Sequence, residues 1–192
     1  MSEPQYYSQF GEDRFIAEHL ALPEFGFFIE VGAFDGVLCS NTKHFEDRGW
    51  AGLVIEPDPL MARRCQEQRK CETIQCAVGT ASGQTRSFFL NLADRGMSGL
   101  AVQGEPIQMP VRSLCSIMNV YGVDHVDLLS IDTEGTELDV WFSIQDGPMP
   151  RIVIMEFLTL PSPPRDAQIL STMAEFGYRE RHRTPANLIM TR

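Results

Sequence analysis

Short apolar runs alternate with stretches of helical periodicity along most of this chain. Residues 12–22 carry an apolar stripe at helical spacing (Phe15, Ile16, Leu20), and 27–33 follow as a dense β run poor in charge apart from Glu30. A second helix is expected over 40–48. Residues 52–56 (GLVIE) read as a second strand, after which Asp58 stands as N-cap and Pro59 at the first position of a helix reaching about residue 70. Residues 73–78 (TIQCAV) give a third strand and 84–90 an edge or excursion strand. The least regular stretch is 91–105 (NLADRGMSGLAVQGE), a candidate lid or substrate loop. Strands are expected again at 107–111, 126–131 and 151–157. Between and after them come a helix capped by Ser113 and running to about 121, one over 136–144 and, past the LPSPP break, one over 165–176. Residues 178–182 and 187–191 complete the pattern as an antiparallel hairpin.

Strands that alternate with helices predict an α/β fold. The expected architecture is a single domain with a doubly wound, mostly parallel sheet covered on both faces and ending in an antiparallel hairpin. A chain of 192 residues is long enough to bury about 70% of its unfolded surface in one core. The five cysteines include no CxxC pair and no histidine at finger-like spacing, which argues for reduced thiols rather than a disulfide framework or a zinc site. The first residues are polar and acidic rather than basic and then apolar, and no apolar run approaches the roughly 18 residues of a membrane span. The expectation is therefore a cytoplasmic location with no membrane partner. A formal net charge of −10 repels phosphate backbones, so no nucleic-acid partner is expected and a small molecule fits better.

In an open parallel sheet the ligand lies at the carboxyl ends of the strands. Those ends carry Glu30 and the GAFDG turn, then Glu56, Ala77 and Val78, Asp132 and Glu134, and Glu156. Acids gathered in one crevice raise one another's pKa, so a cationic ligand, a metal or a set of hydroxyls is needed to use their acceptor capacity. Glu56 lies twenty residues past Gly36, the separation at which an adenosyl-binding fold places the carboxylate that accepts both ribose hydroxyls. Within the turn, Asp35 stands where a pyrophosphate cradle wants only backbone amides, and Phe34 replaces the small residue that lets backbone approach phosphate. S-adenosylmethionine resolves the conflict because it has a ribose and adenine, no phosphate, a sulfonium and an ammonium. Glu30 and Asp35 are candidates for its ammonium end, with Gly32, Ala33 and Gly36 admitting close backbone approach. Pro57, Ala77, Val78 and Asp132 are further candidate contacts, as is Asn41. Both Asp35 and Asn41 are alternatively caps for the following helix.

The same residues carry a family resemblance. The blocks YSQFGEDRFI (7–16), FIEVGAFDG (28–36), SNT (40–42), E-x-x-GW-x-G-x-x-IEP (46–57), AVG (77–79) and DLLSIDTEGTELDV (127–140) are similar to those of FkbM-type methyltransferases of the S-adenosylmethionine-dependent, Rossmann-like class. The IDxEGxE segment is the most specific of them. The resemblance implies a seven-stranded sheet with an antiparallel last strand, S-adenosylmethionine as donor, and methylation of a hydroxyl on a sugar or polyketide-like acceptor.

Methyl transfer from a sulfonium is an in-line displacement that depends on alignment, and an alcohol acceptor needs a base or a metal to make it nucleophilic. Asp132 and Glu156, at the ends of neighbouring strands, are candidate ligands for a divalent metal such as magnesium, with Glu134 or water completing an oxygen shell. Alternatively, Asp132 or His182 is the base. Strand alternation places Arg179, Arg181 and Arg183 on one face and His182 with Glu180 on the other, so the arginine face would suit an anionic acceptor or simply meet solvent. Gln9, Glu12 and Asp13 read either as a solvated helix start capped by Ser8 or as ligand contacts. The function expected is an S-adenosylmethionine-dependent O-methyltransferase acting on a small molecule or glycan. The alternatives are a binding module that keeps the fold without catalysis and a nicotinamide-dependent oxidoreductase.

Overall fold

The computed structural model describes residues 4–158 and 164–192; the core of the LPSPP break, residues 160–163, lies outside them. Its main sheet uses β1 (Phe27–Val31), β2 (Ala51–Ile55), β3 (Glu72–Ile74), β7 (Leu128–Ile131), β8 (Ile152–Glu156), β9 (Arg179–Arg183) and β10 (Asn187–Thr191) in the spatial order β3-β2-β1-β7-β8-β10-β9. The first five strands of that order run parallel; β10 pairs antiparallel with β8, and β9 antiparallel with β10. The chain thus builds one half of the sheet outward from β1, returns to β1 with β7 and builds the other half. The crevice left at that reversal is where such sheets hold ligands.

Every residue of β7 and β8 is buried, as expected for strands covered on both faces. The period of two divides their side chains between two layers. Ile29, Val31, Leu53, Ile55, Leu129, Ile131, Val153 and Met155 pack with residues of α4 (Leu114–Tyr121), α5 (Glu137–Phe142) and α6 (Asp166–Glu175). Phe28, Val54, Leu128, Ile152 and Ile154 pack instead with Ile16 of α1 (Glu12–His19), Phe45 of α2 (Lys43–Asp47) and Cys65 of α3 (Pro59–Gln68). Helix starts read from sequence hold at two places. The Asp58 carboxylate accepts from the amides of Leu60 and Met61, with Pro59 opening α3, and the Ser113 hydroxyl accepts from Ser116 N.

Three expectations are corrected. Residues 73–78 are not one strand: β3 ends at Ile74, and β4 (Ala77–Val78) joins a second, three-stranded sheet in the order β4-β6-β5, with β5 at Thr85–Leu90 and β6 at Glu105–Arg112. Helix α1 begins at Glu12 with Gly11, not Ser8, as N-cap, and Glu12 and Asp13 are fully buried rather than solvated. The Ser8 hydroxyl donates to Asp13 Oδ1 and accepts from Asp13 N, while Glu12 takes hydrogen bonds from Phe10 N, Thr184 Oγ1 and Asn187 Nδ2. In β9 the register against β10 shifts between Ile189 and Met190. That bulge breaks simple alternation, and Arg183 instead pairs with Glu180 and with Asp166 of α6.

Candidate active site

A cavity of about 430 Å³ opens at the carboxyl ends of β1, β2, β7 and β8. The turn after β1 forms its floor: Gly32 and Gly36 have φ of 83° and 87°, and Phe34, without a glycine's freedom, has φ 50°. Gly32 is required by packing as well, because its amide donates to Ile55 O and a Cβ there would collide with the Asp132 carbonyl. At the end of β2 the Glu56 carboxylate ties this floor to the start of α3. Its Oε2 accepts from Phe34 N and its Oε1 from Asp58 N, both at 2.8 Å. Burial pushes the Glu56 pKa up to about 8, while those two amides favour the charged form. Each oxygen keeps a lone pair for a further donor.

Of the candidate cofactor contacts, Glu30, Gly32, Ala33, Glu56, Pro57, Ala77, Val78 and Asp132 line the cavity, whereas Asp35, Gly36 and Asn41 do not. Asp35 Oδ1 accepts from Val37 N and Leu38 N and so closes its own turn. Gly36 packs against Arg69 and Cys65, and the buried Asn41 amide donates to Ser130 Oγ. Glu30 is held by protein groups despite lying at the wall. It accepts from Ser40 Oγ, Asn41 N, Thr42 Oγ1 and Arg69 Nη1. These bonds anchor the 40–42 turn and use much of the acceptor capacity that an ammonium group would need.

Three other acids converge at the far end. Asp132 follows β7, Glu156 ends β8, and Glu134 sits in the turn between β7 and α5; one carboxylate oxygen from each lies within 4.8 Å of the others. The turn that presents Glu134 is strained, with Glu134 at φ 53° and Gly135 at φ 115°. Glu137, at the first position of α5, holds it in that form. Its Oε1 accepts from Thr133 N and Gly135 N, and its Oε2 pairs with Arg165, whose other guanidinium nitrogen donates to Gly135 O. Burial pushes Glu134 up to about 8 and raises Asp132 and Glu156 as well, the last two sharing a hydrogen bond and opposing each other's charge. The Oε2 atoms of Glu134 and Glu156 have no hydrogen-bond partner.

The sequence model of the family described as "Methyltransferase FkbM domain" matches residues 30–180. The chain belongs to this family. It is thus a methyltransferase of the S-adenosylmethionine-dependent class. Among solved structures it is similar to a TehB-like SAM-dependent methyltransferase from Corynebacterium glutamicum, with a TM-score of 0.53 at 9% identity over 96% of this chain and 89% of that one. It is also similar to a chain of a fibrillarin/Nop5p complex (TM-score 0.50, 10% identity, 100% and 88% covered) and to M. capricolum TrmK in complex with S-adenosyl-homocysteine (0.50, 5%, 97% and 68%). At such identities these likenesses concern the fold. A search of curated proteins found no match.

The FkbM match includes IDTEGTE, in which Asp132 and Glu134 face the cavity while Glu137 fixes the turn that follows β7. It does not extend to His182. That residue pairs with Ile189 in the outer part of the sheet and stacks on Phe15 with ring centroids 4.1 Å apart, away from the cavity lining, so its place in the site is corrected. The arginine face of β9 does not border the cavity either. Gln9 does, next to Phe10. Segment 91–105 contributes Asp94 to Ser98 and Leu100 to the wall, where Arg95–Met97 form a short 3-10 turn and Arg95 pairs with Asp58 at 2.5 Å. Phe88 and Cys39 were missed by sequence reasoning. The inward alternation of β5 marks Phe88, but no local pattern marks Cys39, which takes φ 60° beside the turn. No helix among the described residues is long and apolar enough to cross a membrane.

Proposed function

We propose that this FkbM-family protein transfers the methyl group of S-adenosylmethionine to a hydroxyl of a small molecule or glycan. The observation that carries the reading is that Glu56 and the cluster of Asp132, Glu134 and Glu156 line one cavity with little compensating basic surface. Glu30, Glu56, Asp94, Asp132, Glu134 and Glu156 line the cavity, and Arg95 is the one basic side chain among the described lining residues. It is already paired with Asp58. Such a wall disfavours a diphosphate and suits a cationic adenosyl donor. The volume is in the range of about 300–1,000 Å³ usual for small-molecule sites.

Glu56, fixed by two backbone amides and retaining free lone pairs, would accept the donor's ribose hydroxyls. Ala77 and Val78 offer an apolar wall beside it, and the backbone of Gly32 and Ala33 lies open on the floor. When bound, the donor supplies a methyl group already activated by positively charged sulfur. What remains for the protein is alignment and removal of the acceptor proton. Asp132, half-buried at the end of the strand next to β1, is the candidate base. Glu134 is placed to orient the hydroxyl. Calorimetry with S-adenosylhomocysteine and with NAD, followed by product analysis over a panel of hydroxyl acceptors, tests the reading. Tight NAD binding without S-adenosylhomocysteine binding would overturn it, as would donor binding with no turnover on any hydroxyl.

A further inference from the structure

We infer that Asp132, Glu134 and Glu156 form a binding site for one divalent cation of the hard, oxygen-preferring kind. The inference deepens the reading above and rests on it only for the place of the acceptor. Three carboxylate oxygens that lie within 4.8 Å of one another are close enough to share one ion, since oxygen ligands at about 2.1–2.5 Å put opposite donors about 4–5 Å apart. They come from the ends of two adjacent strands and from one braced turn, so the backbone fixes where they point before any ion arrives.

Proximity of acids is not enough. The second observation is that the cluster has unused acceptors deep inside the protein. Glu134 and Glu156 are 7% and 8% exposed, both line the cavity, and Oε2 of each has no partner. A buried carboxylate oxygen left without a donor is costly. Neighbouring cations do not relieve it: Arg165 is paired with Glu137 and Arg95 with Asp58, and no ion pair among the described residues reaches Asp132, Glu134 or Glu156. Three carboxyl groups thus face the cavity with no basic side chain among the described residues paired to them.

An all-oxygen ligand set suits magnesium, manganese or calcium. Three protein ligands, one oxygen each, would leave positions open on the ion, where an acceptor hydroxyl would bind with its pKa lowered, and would leave the second Asp132 oxygen to take its proton. The same cluster could instead meet an ammonium group of an amine acceptor, and the experiment separates the two.

Wild type, Glu134→Gln and Glu156→Gln are titrated with Mn²⁺, bound ion being followed by electron paramagnetic resonance and by calorimetry. Circular dichroism and S-adenosylhomocysteine binding report on the fold and on the donor half. One Mn²⁺ per wild-type chain, displaced by excess Mg²⁺ or Ca²⁺ and weakened at least tenfold in each glutamine variant with circular dichroism unchanged, supports the site. Wild-type protein that leaves Mn²⁺, Mg²⁺ and Ca²⁺ free at millimolar concentration overturns it, as do variants that bind Mn²⁺ like wild type. Productive methylation of an amine acceptor with no divalent ion bound overturns it in favour of the ammonium. Loss of S-adenosylhomocysteine binding with stoichiometric Mn²⁺ retained strikes the donor reading and leaves the cation site standing.

Discussion

Arg69 Nη1 lies 3.0 Å from Glu30 Oε2, and both side chains are closed off from solvent. The same guanidinium reaches Glu46 Oε2 at 3.0 Å, Thr42 Oγ1 and the Gly36 carbonyl. One arginine at the end of α3 therefore neutralises two buried acids and stitches the 36–46 segment to the sheet. Arg69→Met leaves those charges unpaired and is expected to cost about 3–5 kcal/mol of folding stability. Urea unfolding of the two proteins measures it, and a loss under about 1 kcal/mol would show the network to be dispensable.

Glu56 makes stability depend on pH in a definite direction. Its carboxyl is held at about 8, against 4.5 ordinarily, chiefly by burial. Between those values the folded chain keeps a proton that the unfolded chain has released. This contribution to stability is complete below the unfolded value and is lost as pH rises toward the folded one, at up to about 1.4 kcal/mol per unit. Glu56→Gln should make the fall in stability shallower in a series of melts between pH 5 and pH 8, taken without donor, leaving the share of Asp132 and Glu134. The same variant should weaken S-adenosylhomocysteine by about 1–3 kcal/mol, read by calorimetry; an unchanged affinity would move the ribose elsewhere.

Gly32 has no room for a side chain. Alanine there meets the Asp132 carbonyl and must take φ 83°. Strain and overpacking together predict a loss of about 2–4 kcal/mol for Gly32→Ala, visible as a lowered midpoint in thermal unfolding. A midpoint like that of wild type would mean that β1 and β7 separate more easily than their spacing implies.

Asp132 and His182 should behave oppositely. Asp132→Asn is expected to abolish methyl transfer while sparing the fold and most donor binding. His182→Ala loses only its stacking on Phe15, worth about 0.5–1.5 kcal/mol, and should keep its turnover. Initial rates of donor-product release compare the two, and an active Asp132→Asn would send the search for a base elsewhere.

Much of the architecture was legible because it is local. The apolar runs of β1, β2, β7 and β8 and the Asp58-Pro59 helix start declare themselves over a few residues. Convergence of Glu56, Asp132, Glu134 and Glu156 followed from their shared position at strand ends. What escaped notice depends on distant partners. Glu30 reads as a ligand group until Arg69, thirty-nine residues on, is seen to occupy it. Glu12 reads as solvated until Thr184 and Asn187 arrive from the last strands. The division of 73–78 between two sheets and the bulge in β9 are decided by neighbouring strands.

After Ile74 the chain leaves the main sheet and rejoins it only at Leu128, having built a small β unit with its own apolar centre of Ala77, Phe88, Leu90, Met109 and Val111. That detour works as a cassette. One flank of the chamber is therefore exchangeable: the length and chemistry between Asn91 and Gly104 can be redrawn while every backbone bond joining β2, β1, β7 and β8 stays as it is.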